Sequence, residues 1–147
     1  MNDKYFLDTN ILIYSFDRHT SRKTRRSQEV LEHALETHQG IISTQVIQEF
    51  LNVATTKFSK PLTSSDAYQF LDTVLLPLCA VYPSAELYRL ALELQSDTQY
   101  SFYDCLIIAA ALQANCITLY SEDLHHGHNI RGMIIRNPFL PTTSRNS

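Results

Sequence analysis

The chain lacks the devices by which small proteins make up for a thin core. Its three cysteines, Cys79, Cys105 and Cys116, stand singly in apolar surroundings with no C-x-x-C spacing. That excludes a disulfide framework or a zinc knuckle and reads as reduced core thiols. No apolar run approaches the roughly 18 residues needed to cross a bilayer. The opening residues, MNDKYFLDTN, have neither a basic start nor a cleavable apolar stretch, so a cytoplasmic protein with no membrane attachment is expected. No repeat, low-complexity tract or linker divides the sequence. A cationic excess is missing too: the net charge is −3, which argues against a protein that coats nucleic acid along its whole surface.

What is present is an ordinary globular composition, 44% apolar and 18% charged over 147 residues. A chain of this length buries roughly 68–70% of the surface its unfolded form exposes, so it needs no metal to fold, and any metal it binds serves function. One domain over residues 1–140 is expected, followed by a loose tail, PTTSRNS, at 141–147.

The periodicity alternates between strand and helix. YFL, ahead of Asp8, is of strand type. SQEVLEHALETHQG sets Val30, Leu31, Ala34 and Leu35 on one helical face and ends at Gly40, a candidate left-handed stop. GIIS reads as a second strand. The helix after it, capped by Ser43 or Thr44, carries an apolar stripe of Val46, Ile47, Phe50, Leu51 and Ala54, with Glu49 little more than a turn from its start. Ser64 or Ser65 opens a helix that closes near Pro77, CAVY is a third strand, and Ser84 starts AELYRLALELQ. Tyr103 to Ala114 is apolar nearly all round and predicts a buried helix, with Asp104 in the first turn where the macrodipole favours an anion. CITLY and GMIIR are the fourth and fifth strands. Strands separated by helices imply right-handed crossovers, hence an α/β fold with a mostly parallel sheet of about five strands covered on both faces.

In such sheets ligands bind beyond the carboxyl ends of the strands. Asp8 ends the first strand, Glu49 follows the second, Asp104 opens the helix leading into the fourth, and Asp123 follows the fourth. All four can reach one crevice. Each abuts apolar sequence, where a carboxylate is costly to desolvate without a cation or hydrogen bonds. By contrast Glu29, Glu32, Glu36, Asp66, Asp72, Glu86 and Glu93 fall on amphipathic helices, where exposure explains them. Singly, each of the four has a bland reading: an Asx turn shared by Asp8 and Asn10, an exposed Glu49, a helix-start charge at Asp104. Jointly the convergence stays unexplained. Hard oxygen ligands suit Mg²⁺ or Mn²⁺, which act on phosphoryl groups. Arg18, Arg22, Lys23, Arg25 and Arg26 lie within nine residues, either as a solvated helix face or as a contact for a phosphate backbone.

FLDTNILIY, TQVIQEFLNV, YSFYDCLIIAAAL and LYSEDLHHG resemble, in order, the four acidic motifs of the PIN-domain family of ribonucleases, in particular its VapC-type toxins. The resemblance spans about residues 4–139. Its one departure is Tyr103, where related sequences often carry Trp; no acid is lost. It implies a three-layer α/β/α sandwich and metal-dependent hydrolysis of RNA to a 5′-phosphate and a 3′-hydroxyl. It also implies that Asp8, Glu49, Asp104 and Asp123 are catalytic and hold Mg²⁺ or Mn²⁺. Asn10 and Ser121 would orient a carboxylate or a water. Asp123 ranks above its neighbour Glu122, because it aligns with the fourth acid. Arg22, Lys23, Arg25 and Arg26 are then candidates for holding the RNA backbone. The implied partners are RNA, a cognate antitoxin that plugs the crevice, and a second copy of the chain.

Other readings fit less well. A haloacid-dehalogenase-type phosphatase wants a second acid two residues after the first, where this chain has Asn10, and a receiver domain wants adjacent acids and a late Lys, where it has Thr9 and Arg136. His125, His126 and His128 lack helical i, i+4 placement and read as a solvated loop. A non-catalytic scaffold that binds RNA or protein is the alternative from another functional class, and the intact acids oppose it. Tyr68, Phe70, Leu71, Leu75 and Leu76 form an apolar helix surface open to dimerisation or to core packing.

Overall fold

A computed structural model describes residues 3–16 and 21–141. Arg18 and the tail expected over residues 142–147 lie outside the described residues. Short segments form the sheet, of which the first two are buried throughout: β1 (Tyr5–Leu7), β2 (Gly40–Ser43), β3 (Cys79–Val81), β4 (Thr118–Tyr120), β5 (Asn129–Ile130) and β6 (Met133–Arg136). The spatial order is β3-β2-β1-β4-β6-β5. All neighbouring pairs are parallel except β5 with β6. The sheet therefore has six strands where about five were expected. The additional one, β5, is a two-residue segment joined to β6 through the turn at Arg131 (φ 53°) and Gly132 (φ 94°). Two residues offer no alternation to read.

Helices α1 (Thr9–Tyr14), α2 (Ser21–Thr37), α3 (Thr44–Thr56), α4 (Ser64–Phe70), α5 (Leu76–Leu78), α6 (Ala85–Asp97) and α7 (Phe102–Gln113) flank the sheet in the expected three-layer α/β/α arrangement. Crossovers join β1 to β2 and β2 to β3, and α7 is buried along Cys105–Ala111, as its unbroken apolar run requires. The helical segment closes at Leu78, next to Pro77, as expected; a π-helical turn, Leu71–Leu75, connects α4 to the short α5 in which Pro77 sits. Thr63, not Ser64 or Ser65, caps α4 by accepting from the Asp66 amide. Ser43 occupies the cap position of α3, yet its buried hydroxyl makes no hydrogen bond.

Gly40 does not supply the left-handed stop of α2; His38 does, at φ 59°. The glycine is required for space. A Cβ at position 40 would lie 2.2 Å from Ala34 Cβ and 3.1 Å from Tyr5 Cε2, where α2 crosses the start of β2. Gly40→Ala should therefore cost about 1–3 kcal/mol by overpacking. In urea denaturation, Gly40→Ala combined with Ala34→Gly should lose less stability than the sum of the two single changes, because the collision is shared.

Candidate functional site

Asp8 leaves β1 as the N-cap of α1 and is only 8% exposed. Its two carboxylate oxygens are both engaged: the Thr9 amide donates to Oδ1 at 2.7 Å and the Ser121 hydroxyl donates to Oδ2 at 2.7 Å. Ser121 follows β4 and is fully buried. The Asp8 amide also donates to the Tyr120 carbonyl at 3.0 Å, which extends the β1–β4 pairing to the rim. Burial pushes the Asp8 carboxyl up to about 6. The hydrogen bonds from Ser121 and Thr9 oppose that rise, while the charges of Glu49 and Asp123 add to it.

Glu49 faces this point from α3. The Thr9 hydroxyl donates to its Oε1 at 2.5 Å, and Gln45, one helical turn earlier, donates to its Oε2 at 3.2 Å. The Gln45 amide nitrogen is also 3.2 Å from the Tyr103 carbonyl, the residue before Asp104. Asp104 lies in the first turn of α7, its own amide donating to the Ser101 hydroxyl at 3.2 Å. Tyr103 is 67% exposed beside it.

The fourth acid is held from α1. Asn10 Nδ2 donates to Asp123 Oδ2 at 3.1 Å, and Asn10 Oδ1 accepts from the Glu122 amide at 3.3 Å. Ser121 Oγ accepts from the amides of Asp123 and Leu124 at 3.2 and 3.3 Å. One buried hydroxyl thus joins Asp8 to the turn that carries Asp123. Glu122 points elsewhere: Lys23 pairs with its Oε2 and the Tyr14 hydroxyl donates to Oε1 at 2.7 Å. Burial raises the Glu122 carboxyl, but the Lys23 and Tyr14 hydrogen bonds outweigh it and hold the group below the usual range.

Asp8, Glu49 and Asp123 therefore meet electrostatically, while Asp104 is linked to them only indirectly, through the Gln45 bond to the carbonyl of the preceding Tyr103. Among the described residues no three carboxylate, imidazole or thiol side chains stand together at metal-ligand spacing. The carboxylates of Asp8, Glu49 and Asp123 are held by hydrogen bonds from neutral groups instead. Of the basic candidates, Lys23 is committed to Glu122, Arg22 donates to the Phe139 carbonyl, and Arg26 donates to the Pro138 carbonyl at 3.2 Å and pairs with Glu29 at 3.6 Å. Arg25 is exposed. The histidine loop is tied into the fold, since His126 Nδ1 accepts from the Asn137 amide at 2.9 Å and His128 Nδ1 lies 3.3 Å from the Tyr100 hydroxyl. The sequence reading missed Thr9 and Gln45. Gln45 was legible as the i−4 neighbour of Glu49 on one helix face; Thr9 had no signal beyond its place between Asp8 and Asn10.

The donor chemistry fits a hard divalent cation. The charged groups that meet there are carboxylates, and burial beside two like charges holds the innermost one well above the usual carboxylate range, a deficit of positive charge that a cation corrects.

A family model described as PIN domain matches residues 5–128. Among solved structures, the fold is similar to a chain of a toxin–antitoxin complex from Klebsiella pneumoniae, at 20% identity and TM-score 0.64, covering 92% of this chain and 98% of that one. It is also similar to VapBC2 from Rickettsia felis bound to a fragment of its promoter DNA, at 23% identity and TM-score 0.60, covering 90% and 97%. A third likeness is to VapC20 of Mycobacterium tuberculosis, described as a toxin that cleaves the sarcin–ricin loop, at 18% identity and TM-score 0.55, covering 82% and 90%. At these identities the likeness is one of fold. No curated protein matches the chain.

The burial of Asp8 has a stability consequence without added metal. The folded carboxyl takes up its proton at about 6 and the ordinary carboxyl at 3.8, so between these values the folded state binds more protons and stability falls as pH rises. The contribution is about 3 kcal/mol and is complete above the folded value. The difference in urea stability between wild type and Asp8→Asn, followed in chelator from pH 4 to 7.5, should isolate it. Asp8→Asn should gain on wild type as pH rises, and parallel curves would refute the burial argument.

Proposed function

The chain belongs to the PIN-domain family, and from that membership and its acidic crevice we propose that it is a divalent-metal-dependent endoribonuclease, the toxin of a type II toxin–antitoxin pair. The observation that carries the reading is the meeting of Asp8, Glu49 and Asp123 beyond the ends of β1, β2 and β4; Asp104, in the first turn of α7, is the proposed fourth acid. So placed, the four would hold Mg²⁺ or Mn²⁺. When bound, the cation supplies Lewis acidity for water activation and for charge on the phosphodiester in an in-line displacement. Ser121 and Thr9 fix the Asp8 carboxylate by both its oxygens, so it is oriented before any ligand arrives. Thr9 and Gln45 do the same for Glu49, and Asn10 for Asp123. Among the described members of the basic run Arg22 and Arg25 are exposed, and with Arg22 engaged by the Phe139 carbonyl, Arg25 is the candidate for a phosphate contact.

The antitoxin reading draws on the structural neighbours, which include a toxin–antitoxin complex and VapBC2. A groove of about 870 Å³ runs over Ile13, Phe16, Val53, Phe58 and Leu62, with exposed Lys57 and Lys60 in its lining. Those surfaces suit an apolar segment with acidic flanks. For dimerisation, Tyr68 (70% exposed) and Leu76 (46%) are available, whereas Leu75 is buried and Phe70 and Leu71 pack against the core. No helix among the described residues is long and apolar enough to cross a membrane. Sedimentation should give a dimer that Tyr68→Arg with Leu76→Arg converts to monomer; a monomeric wild type removes the dimer from the proposal.

The decisive test is cleavage of RNA with mapped ends. Wild type should cut with Mg²⁺ or Mn²⁺, leave 5′-phosphates, and stop in chelator with its circular dichroism unchanged. Asp8→Asn and Asp104→Asn should lose several kcal/mol of transition-state stabilisation, on the order of a thousandfold in rate, while RNA affinity persists. Equal residual cleavage in these folded variants would point to the non-catalytic scaffold and a contaminating nuclease.

A further inference from the structure

Lys23 belongs to a basic run whose obvious use is to bind RNA, yet its side chain is directed inward, to a contact bridging 99 residues of sequence. Its ammonium pairs with Glu122 Oε2 and lies 3.5 Å from the Tyr14 hydroxyl, which itself donates to Glu122 Oε1 at 2.7 Å. The same ammonium sits 4.8 Å from the Tyr14 ring centroid and 5.6 Å from that of Phe139, and these two rings meet edge to face at 5.2 Å. Arg22 and Arg26 hold the carbonyls of Phe139 and Pro138, so α2 fastens the segment whose ring covers Lys23. An exposed ion pair would be worth little. This one is only 31% and 22% exposed, shares a third partner and is flanked by two aromatic faces.

The other end of Glu122 touches the acidic crevice. Its amide donates to Asn10 Oδ1, and the Nδ2 of the same Asn10 side chain donates to Asp123 Oδ2. Holding Glu122 therefore holds the peptide that fixes the Asn10 amide plane, and through it the Asp123 carboxylate.

We propose that Lys23, Tyr14 and Glu122 form a brace that positions Asp123, and that Lys23 acts through Glu122 and makes no RNA phosphate contact. The brace is a matter of folded geometry; its effect on cleavage rests on the metal-nuclease reading above.

The test compares wild type with Lys23→Met, Glu122→Gln and Lys23→Arg. Amide hydrogen exchange at Glu122 and Asp123 should quicken about tenfold in Lys23→Met and Glu122→Gln, with the β4 amide of Leu119 unchanged, and Lys23→Arg should stay near wild type. The Mn²⁺ concentration for half-maximal cleavage, and the Mn²⁺ dissociation constant by calorimetry, should both rise about ten- to a hundredfold in the first two variants. The slope of log RNA affinity against log salt should not change. A phosphate contact would instead lower that slope by about 0.7 and leave exchange and Mn²⁺ response alone; that result, or wild-type exchange in a folded Lys23→Met, overturns the proposal. Should Lys23→Met fail to fold, Glu122→Gln decides the same question. A wild type that neither binds Mn²⁺ nor cuts RNA refutes the nuclease reading, while the exchange comparison still decides the brace.

Discussion

A single buried carboxylate organises the crevice. Asp8 caps α1 at the carboxyl end of β1, where the Ser121 hydroxyl and the Thr9 amide occupy its two oxygens. Ionising a carboxyl so deeply placed is expensive. Two hydrogen bonds lower the cost without removing it, as the rise to about 6 records. Its partners serve neighbouring acids as well: Ser121 accepts from the turn bearing Asp123, and Thr9 donates its hydroxyl to Glu49. Loosening Asp8 would release both.

Topology explains why these groups meet. With the order β3-β2-β1-β4-β6-β5, β1 lies inside the sheet between β2 and β4, both parallel to it. The residues that follow those three strands must emerge at one rim. Helix α3 starts directly from β2 and places Glu49 less than two turns in; β4 runs straight into Ser121 and Asp123. Glu49 and Asp123 come from segments with no sequence proximity, and the parallel register brings them to the same rim, on either side of Asp8.

How much of this was legible in the sequence depends on the range of the interaction. Strand and helix identities rest on local periodicity, and the acids stand out because each interrupts or borders an apolar run, as Asp104 does before Cys105–Ala111. Gly40 shows the limit. A glycine after an amphipathic helix reads as a left-handed stop, but the space-filling constraint comes from Ala34 across a crossing that no local pattern reveals. Pro77 reads as a terminator because a helix interior excludes proline, and the helical segment does end at Leu78, although the π turn upstream of it carries no local signal. Lys23 is the clearest case. Within its run it resembles Arg25, and only a carboxylate partner on the far side of the chain separates the two.

The electrostatics of the rim also constrain how RNA approaches. Four carboxylates repel a phosphodiester, and a chain of net charge −3 offers little long-range attraction to offset that. Three of the nearby cations are internally engaged, with Glu122 and with the carbonyls of Phe139 and Pro138. In the proposed reading, positive charge at the reacting phosphate must come from the bound metal, so metal and RNA each favour the other's binding by the same factor. The alignment of the acids then governs both at once. In that reading, a brace that sets Asp123 belongs to substrate capture as much as to chemistry, although its three side chains are engaged with one another.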